Sequence, residues 1–118
     1  MTTLMLLAML VCGEAGVEPY AGQVAVAQVV ENRVRSEWFP NTFEQVIWQP
    51  WQFSAGNDGT LYHYGEPTES CHRAAYEVYY HDGYDGTFGS LFYHAVWMAE
   101  YPPWGMVEKT RIGAHIFY

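Results

Sequence analysis

The chain has 118 residues, half of them hydrophobic, which is enough to bury the core of one compact domain. Its net charge of −8 argues against a nucleic-acid partner, because phosphate backbones are bound by clusters of Lys and Arg. No repeat, linker or low-complexity segment divides the chain, so we expect a single domain over residues 1–118. Ten Tyr and five Trp either fill the core or provide exposed rings on which sugars stack.

An apolar run at residues 4–11 predicts the first helix. The run is apolar on all sides, as expected of a helix surrounded by protein, with Thr2 or Thr3 as its cap and Gly13 and Gly16 marking its end. It also resembles the core of a signal peptide, but no Lys or Arg precedes it, and it is shorter than the ~20 residues that cross a bilayer. We therefore interpret it as a core helix and expect neither an export signal nor a membrane span.

Glu14 falls in the last turn of this predicted helix or just beyond it. Apolar neighbours and the negative end of the helix dipole both disfavour a charged carboxylate, so we expect the pKa of Glu14 to be raised. A carboxylic acid that keeps its proton near neutral pH is suited to general acid catalysis. Glu14 is therefore the candidate catalytic residue, and the alternative is a solvated residue in a turn.

The two cysteines, Cys12 and Cys71, either form a disulfide or remain as buried thiols, and their spacing matches no metal site. Cys12 lies close to Glu14 in the sequence. No basic residue near Cys12 is available to lower its thiol pKa, which argues against a nucleophilic cysteine.

Glu18 and Pro19 open a second helix, which the apolar pattern extends from Tyr20 to Val34 or Ser36. We favour a capping role for Glu18, since a carboxylate is stabilising at a helix N-terminus. The alternative is that Glu18 is a second active-site carboxylate.

A short third helix is predicted over residues 42–48, with Asn41 and Thr42 as capping candidates. Residues 48–65 then form a long loop that mixes aromatic rings with the amides of Gln49 and Gln52. Loops of this length in a small domain are often functional, and rings beside amides suit a polysaccharide groove. The alternative is a structured cover over the core.

The rest of the chain predicts one more helix and two strands. The helix runs from Thr68 to His81 or Asp82 and is closed by Gly83. Residues 90–94 and 110–117 are predicted as strands, the second because its apolar residues alternate. The expected fold class is therefore α+β, mainly α, with a helical body and a small antiparallel β-sheet.

Several short motifs occur in order along nearly the whole chain. They are Gly13-Glu14-Ala15, Glu18-Pro19-Tyr20, Gly22-Gln23-Val24-Ala25-Val26-Ala27, Asn32-Arg33-Val34, Phe39-Pro40-Asn41-Thr42, Gln49-Pro50, Gln52-Phe53-Ser54, Leu91-Phe92-Tyr93 and Arg111-Ile112-Gly113 with His115. In residue type and order these motifs resemble the SleB/CwlJ family of spore cortex-lytic enzymes and cell wall hydrolases.

The resemblance implies a lysozyme-like catalytic domain that acts on the glycan strands of peptidoglycan. It matches Glu14 to the single essential carboxylate of a lytic transglycosylase, which cuts the MurNAc–GlcNAc β-1,4 bond and leaves a 1,6-anhydro-muramic end. Family position and side-chain type then make six residues candidates for substrate binding: Tyr20, Gln49, Gln52, Phe53, Tyr93 and His115. No metal or other cofactor is expected, and no calcium loop of the EF-hand type is present.

The chain departs from the family pattern at Cys12-Gly13, His94 and Ala114. These departures leave Glu14 in place. They affect the shape of the substrate cleft, because the strands that line it carry two of them.

Three other functions remain as alternatives. A metal-dependent N-acetylmuramoyl-L-alanine amidase would take zinc ligands from His63, His72, His81, His94 and His115, although no HExxH-like spacing is present. A lysozyme-type hydrolase would use Glu18 as its second carboxylate. A non-catalytic module would hold glycan through Trp and Tyr.

The resemblance implies a cell wall or a spore cortex as the target, with three alternatives: the cortex, the vegetative wall, or a wall attacked during phage lysis. A negatively charged chain gains no attraction from an anionic wall. A wall-binding partner protein that recruits the chain would provide the attraction to the wall that this net charge does not provide.

Overall fold

Helix α1 (Thr3–Ala15) runs through the hydrophobic core. The computed structural model describes residues 1–50, 53, 65–81, 83–98 and 105–118. Thr2 caps the helix, its hydroxyl accepting a hydrogen bond from the backbone N–H of Met5 at 3.1 Å. Every residue from 6 to 11 is buried, which confirms the predicted core helix. Gly13 lies inside the helix rather than at its end, and Gly16 is the C-cap.

Three further helices pack around α1. They are α2 (Tyr20–Arg35), α3 (Phe43–Ile47) and α4 (Glu69–Tyr80). Helices α2 and α4 pack on α1 and on each other, and α3 covers α1 and α2. Thr42 and Thr68 cap α3 and α4 through their hydroxyls, each of which accepts a backbone N–H in the first turn.

The sequence pattern predicts an inward face of α4 that consists of Cys71, Ala74 or Ala75, Val78 and Tyr79. The structure buries Cys71, Ala74, Ala75 and Val78, whereas Tyr79 is half-buried. The helix ends earlier than predicted, because His81 takes an extended backbone conformation and becomes the C-cap. Gly83 therefore does not close the helix.

A three-stranded antiparallel sheet has the strand order β1–β3–β2. Its strands are β1 (Tyr93–Ala95), β2 (Thr110–Ile112) and β3 (His115–Phe117). The predicted single strand over residues 110–117 is wrong, since this segment is a hairpin in which Ile112 pairs with His115. Gly113 turns the chain with φ of +58°, a conformation that glycine adopts without strain. The mainly helical α+β class is confirmed.

Two adjacent residues of α2 attach the segment that leads into β1. The side-chain amide of Asn32 donates to Asp85 Oδ2 at 3.1 Å and to the carbonyl of Ser90 at 3.0 Å. Arg33 Nε donates to the carbonyl of Leu91 at 2.7 Å. These bonds fix the position from which Tyr93 enters the sheet.

The Arg33 side chain is buried among aromatic rings. Its guanidinium lies over the rings of Phe39 and Phe53, 4.8 Å from each centroid, and 5.2 Å from that of Phe92. Cation–π attraction and the hydrogen bond to Leu91 offset part of the cost of removing this charge from water. Burial lowers the pKa of Arg33 to about 10, so the side chain is still a cation at neutral pH.

Asp85 organises the turn before β1. Its carboxylate accepts hydrogen bonds from the backbone N–H groups of Thr87 and Gly89, both at 2.8 Å, as well as from Asn32. Burial raises the pKa of Asp85, but the hydrogen bonds from Thr87, Gly89 and Asn32 together outweigh it, and the net shift is downward. The charged form therefore stabilises the fold.

We expect Asp85→Asn to lower the free energy of unfolding at pH 7 by about 1–3 kcal/mol, the range for hydrogen bonds to a charged group. Because the pKa of Asp85 is lower in the folded state, its contribution is present above the unfolded pKa and is lost as the pH falls through the folded one. The difference between wild type and variant should thus shrink below about pH 4. Urea unfolding at pH 7 and pH 3 measures it.

The matched control is Glu69→Gln, which removes an exposed carboxylate paired with Arg73 on α4 and should cost less than about 1 kcal/mol. Equal unfolding free energies for Asp85→Asn and wild type at pH 7 would contradict the role given to Asp85.

Candidate active site

Glu14 lies in the last turn of α1, where its side chain is half-buried. Its Oε1 atom accepts a hydrogen bond from the Tyr93 hydroxyl at 3.1 Å. Tyr93 is the first residue of β1, so this bond connects the end of the core helix to the sheet. The structure thus brings together the predicted catalytic residue and one predicted substrate-binding residue.

Tyr93 is held as a hydrogen-bond donor by its surroundings. Burial is the main reason that the pKa of Tyr93 is raised well above its usual value, with the charge of Glu14 and the hydrogen bond to Glu14 acting in the same direction. The cation of Arg33 offsets only part of this shift. The phenol therefore keeps its proton at physiological pH and orients the Glu14 carboxyl group.

Arg33 adds a buried positive charge whose interactions include Tyr93 and Glu14. This cation opposes the apolar surroundings and the helix dipole, which were expected to favour the protonated form of Glu14. The raised pKa of Glu14 stays a prediction. Sequence analysis placed Arg33 in the Asn32-Arg33-Val34 motif but did not identify it as a residue of the site. The available signal was the Asn32-Arg33 pair within a helix of small and apolar residues.

A cavity of about 410 Å³ opens beside Glu14. Its walls come from the end of α1, the turn after it and the start of α4, and its lining residues are Cys12, Gly13, Glu14, Gly16, Val17, Glu66 and Thr68. Glu66 is a second carboxylate on this cavity, and its side chain is exposed. Sequence reasoning missed Glu66 and Thr68, because only the packing of α4 on α1 brings them to Glu14.

A disulfide joins Cys12 to Cys71, with 5.6 Å between their Cα atoms. This decides the pairing that the sequence left open. The bond connects the turn of α1 that carries Glu14 to the first turn of α4. Thr68, the cap of α4, places its Oγ1 3.6 Å from Cys12 Sγ. Two walls of the cavity are therefore joined covalently.

Glu18 does not cap α2, which corrects the preferred prediction. Pro19 is the N-cap, without a side-chain hydrogen bond, and the Glu18 carboxylate turns toward the hairpin instead. Its Oε1 accepts the backbone N–H of Ala114 at 2.6 Å. Gly113 permits this approach, since a Cβ there would lie 2.7 Å from the same oxygen. Glu18 is not among the residues that line the Glu14 cavity.

His115 packs between Glu18 and Tyr93. Its Nδ1 lies 3.5 Å from Glu18 Oε1, and its ring meets that of Tyr93 edge-on with 5.0 Å between centroids. Burial lowers the pKa of His115, and the charge of Glu18 offsets part of the shift. At neutral pH the imidazole is therefore uncharged. His115 thus contacts the Glu14–Tyr93 pair through Tyr93.

Tyr20 is placed elsewhere. Its hydroxyl donates to Glu77 Oε2 at 2.5 Å, and it lines another cavity, of about 370 Å³, that shares no lining residue with the Glu14 cavity. Burial is the largest of the effects that raise the pKa of Tyr20 to about 12, and the bond to Glu77 adds to it. The structure therefore does not bring Tyr20 to Glu14.

The three candidates from the predicted loop have different outcomes. Phe53 is 1% exposed and packs against Arg33, so the predicted substrate contact is replaced by a supporting position in the core. Gln49 is half-buried, and its Oε1 has no hydrogen-bond partner among the residues that the structure describes. Gln52 and most of the predicted loop, including residues 54–64, lie outside the described residues.

Within the described ranges, no three His, Cys, Asp or Glu side chains form a group that could hold a metal ion. His63, one of the ligand candidates for an amidase, lies outside these ranges. In the same part of the chain, no helix has both the length and the hydrophobicity that crossing a membrane requires.

Comparison with known proteins identifies the family. The family model described as Cell Wall Hydrolase matches residues 17–118. The chain belongs to the cell wall hydrolase family. The predicted resemblance is thereby confirmed, and the mainly helical body with its small sheet is the fold of an enzyme family.

Relatives of this cell wall hydrolase include the spore cortex-lytic enzyme of Bacillus subtilis strain 168, which is 42% identical over 113 residues. The match covers 95% of this chain and 36% of the relative. The spore cortex-lytic enzyme of Bacillus cereus is 39% identical over 118 residues, or 95% of this chain and 42% of the relative. The chain thus spans well under half the length of either protein.

Two solved structures have the same fold with a TM-score of 0.85. One is the catalytic domain of the germination-specific lytic transglycosylase SleB from Bacillus anthracis, 39% identical, with 98% of this chain and 92% of that chain covered. The other is the catalytic domain of the Bacillus cereus SleB protein, 40% identical, with 98% and 88% covered.

Tyr93→Phe removes only the hydroxyl that donates to Glu14. We expect kcat/KM for peptidoglycan breakdown to fall about 10- to 100-fold, the equivalent of one hydrogen bond to a charged group. The rate of turbidity loss from a peptidoglycan suspension measures it. Tyr76→Phe, on the half-exposed face of α4, is the control and should retain the wild-type rate. A Tyr93→Phe enzyme as fast as wild type would show that the bond does not orient Glu14.

Replacing Cys12 and Cys71 together by Ser should lower the free energy of unfolding by about 4 kcal/mol, the chain-entropy value for a closed loop of this length. Urea unfolding with and without a reductant measures the effect. Reduction should destabilise the wild type and leave the double variant unchanged. Identical wild-type curves under both conditions would contradict the structural role of the bond.

Proposed function

We propose that residues 1–118 are a catalytic domain that cleaves the β-1,4 bond between MurNAc and GlcNAc as a lytic transglycosylase, with Glu14 as its single acid/base. The observation that carries the proposal is a half-buried carboxylate at the end of a core helix, beside an open cavity and oriented by a tyrosine that keeps its proton. The naming of a related catalytic domain as a lytic transglycosylase supports it.

One carboxylate is enough for this reaction. Protonated Glu14 donates its proton to the glycosidic oxygen as the bond from C1 of MurNAc to that oxygen breaks. The resulting carboxylate then takes the proton from the C6 hydroxyl of the same MurNAc, and O6 forms the new bond to C1. Because the nucleophile is attached to the reacting ring, no second reactant has to be bound and oriented.

Tyr93 and Arg33 support both halves of this cycle. The Tyr93 hydroxyl fixes the orientation of the carboxyl group, and the cation of Arg33 favours the carboxylate that forms after the first proton transfer. Positioned proton transfer of this kind contributes roughly 10²–10⁴-fold to a rate.

In the set predicted to bind substrate, Tyr93 is bonded to Glu14, and His115 packs on Tyr93. We propose that they contact the sugar next to the cleaved bond. Gln49 and Gln52 stay predicted substrate contacts. The target is the glycan of a cell wall or spore cortex, and recruitment by a wall-binding partner is part of the same proposal.

A lysozyme-type hydrolase is the second candidate, and one observation favours it. Glu66 shares the cavity with Glu14, and hydrolytic glycosidases use a pair of carboxylates. Glu18, which the sequence left as the alternative candidate for that role, instead accepts a hydrogen bond from the hairpin. Glu66 therefore replaces Glu18 as the candidate partner in hydrolysis.

Mass spectrometry of muropeptides released from purified peptidoglycan tests the proposal. Wild type should release 1,6-anhydro-muramic products, and Glu14→Gln should reduce their rate by about 10²–10⁴-fold, because the amide can neither donate nor accept the proton. Glu18→Gln is the matched control, since its carbonyl can still accept the N–H of Ala114, and it should form the same products at a rate within a few-fold of wild type.

Other products would overturn the proposal in distinct ways. Reducing muramic ends that disappear in Glu66→Gln would show a hydrolase with two carboxylates. Free stem peptides that disappear with a strong chelator would show a metal-dependent amidase. Glycan binding without any product would show a non-catalytic module.

A further inference from the structure

Two aromatic side chains project from the turn before β1. Tyr84 is 81% exposed and Phe88 is 58% exposed, and their rings meet edge-on with 6.3 Å between centroids. Exposed rings that lie together are more informative than scattered ones, since contiguous apolar surface on a folded protein often marks a binding site.

The turn that carries these rings is held rigidly. Phe88 has φ of +55°, a conformation that is strained for a bulky residue. Its neighbours Thr87 and Gly89 are bonded to the Asp85 carboxylate, and Lys109 Nζ donates to the Phe88 carbonyl at 3.2 Å. The surrounding bonds therefore compensate the strain and fix where the two rings point.

Tyr84 also lines the 370 Å³ cavity that contains Tyr20. The floor of this cavity is apolar and is formed by Val24, Ala25 and Ile112. Its polar groups are the Gln28 amide, the Glu77 carboxylate and the Tyr20 hydroxyl, which is fixed by its bond to Glu77. The cavity thus combines ring edges, an apolar floor and hydrogen-bonding groups.

We propose that this cavity is a second carbohydrate-binding site, which takes a neutral N-acetylhexosamine unit. Aromatic side chains suit the C–H faces of a pyranose ring, the apolar floor suits the acetamido methyl group, and the amide and carboxylate suit the hydroxyls. The prediction that Tyr20 binds substrate would then hold at this site rather than beside Glu14.

Charge selects the ligand. Among the described residues that line this cavity, Glu77 is the one charged side chain. Arg73, whose cation acts on Tyr20, is not among them and pairs with Glu69. An anionic ligand would be repelled, which disfavours the lactyl or stem-peptide carboxylates of peptidoglycan and favours GlcNAc. The proposal that this site binds the glycan strands of peptidoglycan rests on the proposed function. The fit of the cavity to a sugar does not, because it depends only on the residues that line the cavity.

The two cavities have one helix in common. Thr68 lines the Glu14 cavity and Glu77 lines the second one, about 14 Å further along the axis of α4. A polymer held at the second site would remain close to the enzyme between cleavage events, which raises its effective concentration at Glu14.

Binding of a GlcNAc tetramer to the Glu14→Gln protein, followed by NMR, tests the proposal. Chemical-shift changes should include the backbone amides of Val24, Ala25 and Ile112. Tyr84→Ala should raise the dissociation constant about 3- to 10-fold, the equivalent of losing one aromatic contact, and Tyr84→Phe should leave the constant unchanged. Trp38→Ala, which removes an equally exposed ring elsewhere, should leave it unchanged.

Shift changes confined to Gly13 and Gly16, equal affinity in Tyr84→Ala, or no binding at millimolar tetramer would each overturn the second site. None of these results depends on the reaction at Glu14. Tetramer binding that is sensitive to Tyr84, in a protein that releases no muropeptides, would keep the site and overturn the proposed function.

Discussion

The buried guanidinium of Arg33 is the point at which the helical body and the sheet are joined. It lies against rings from three separate segments, those of Phe39, Phe53 and Phe92, and donates to the backbone two residues before Tyr93. A buried cation is tolerated only when such contacts replace its hydration. The same contacts that stabilise the charge therefore determine where β1 begins, and so where Tyr93 meets Glu14.

The environment of Glu14 combines influences that act against each other. The end of an apolar helix favours the neutral acid, and the nearby cation favours the carboxylate. A residue that donates a proton and then accepts one, the role proposed for Glu14, has to be able to adopt both forms. The disulfide from Cys12 to Cys71 fixes α1 to α4 beside the cavity, which would keep the geometry constant through both steps of the proposed reaction.

Tertiary packing places the acidic side chains near the site in different positions, and their roles differ accordingly. Glu18 accepts a backbone N–H of the hairpin and lies beside His115, whereas Glu66 lines the cavity itself. The proposed second sugar site extends this division to the opposite end of α4, where Glu77 fixes Tyr20. An enzyme domain with a net charge of −8 would then bind a polymer through its neutral sugars rather than through charge.

The core helix, the three threonine caps, most of the buried face of α4 and the family were predictable from the sequence, because they depend on local patterns and on motifs. The hairpin was not predictable, because the alternation of apolar residues over 110–117 continues through the turn. Only the φ of Gly113 reveals that the chain turns there.

Glu14 could be singled out from the sequence because it lies at the end of an apolar helix. Its hydrogen bond to Tyr93 and its proximity to Arg33 and Glu66 could not be predicted, because these residues are distant from Glu14 in the sequence and only tertiary packing brings them together. The role of Glu18 was misjudged for the same reason: a local rule predicted a cap, and a backbone N–H almost a hundred residues away took the carboxylate instead. Local sequence thus determined the elements and the catalytic candidate, and tertiary packing decided which side chains surround it.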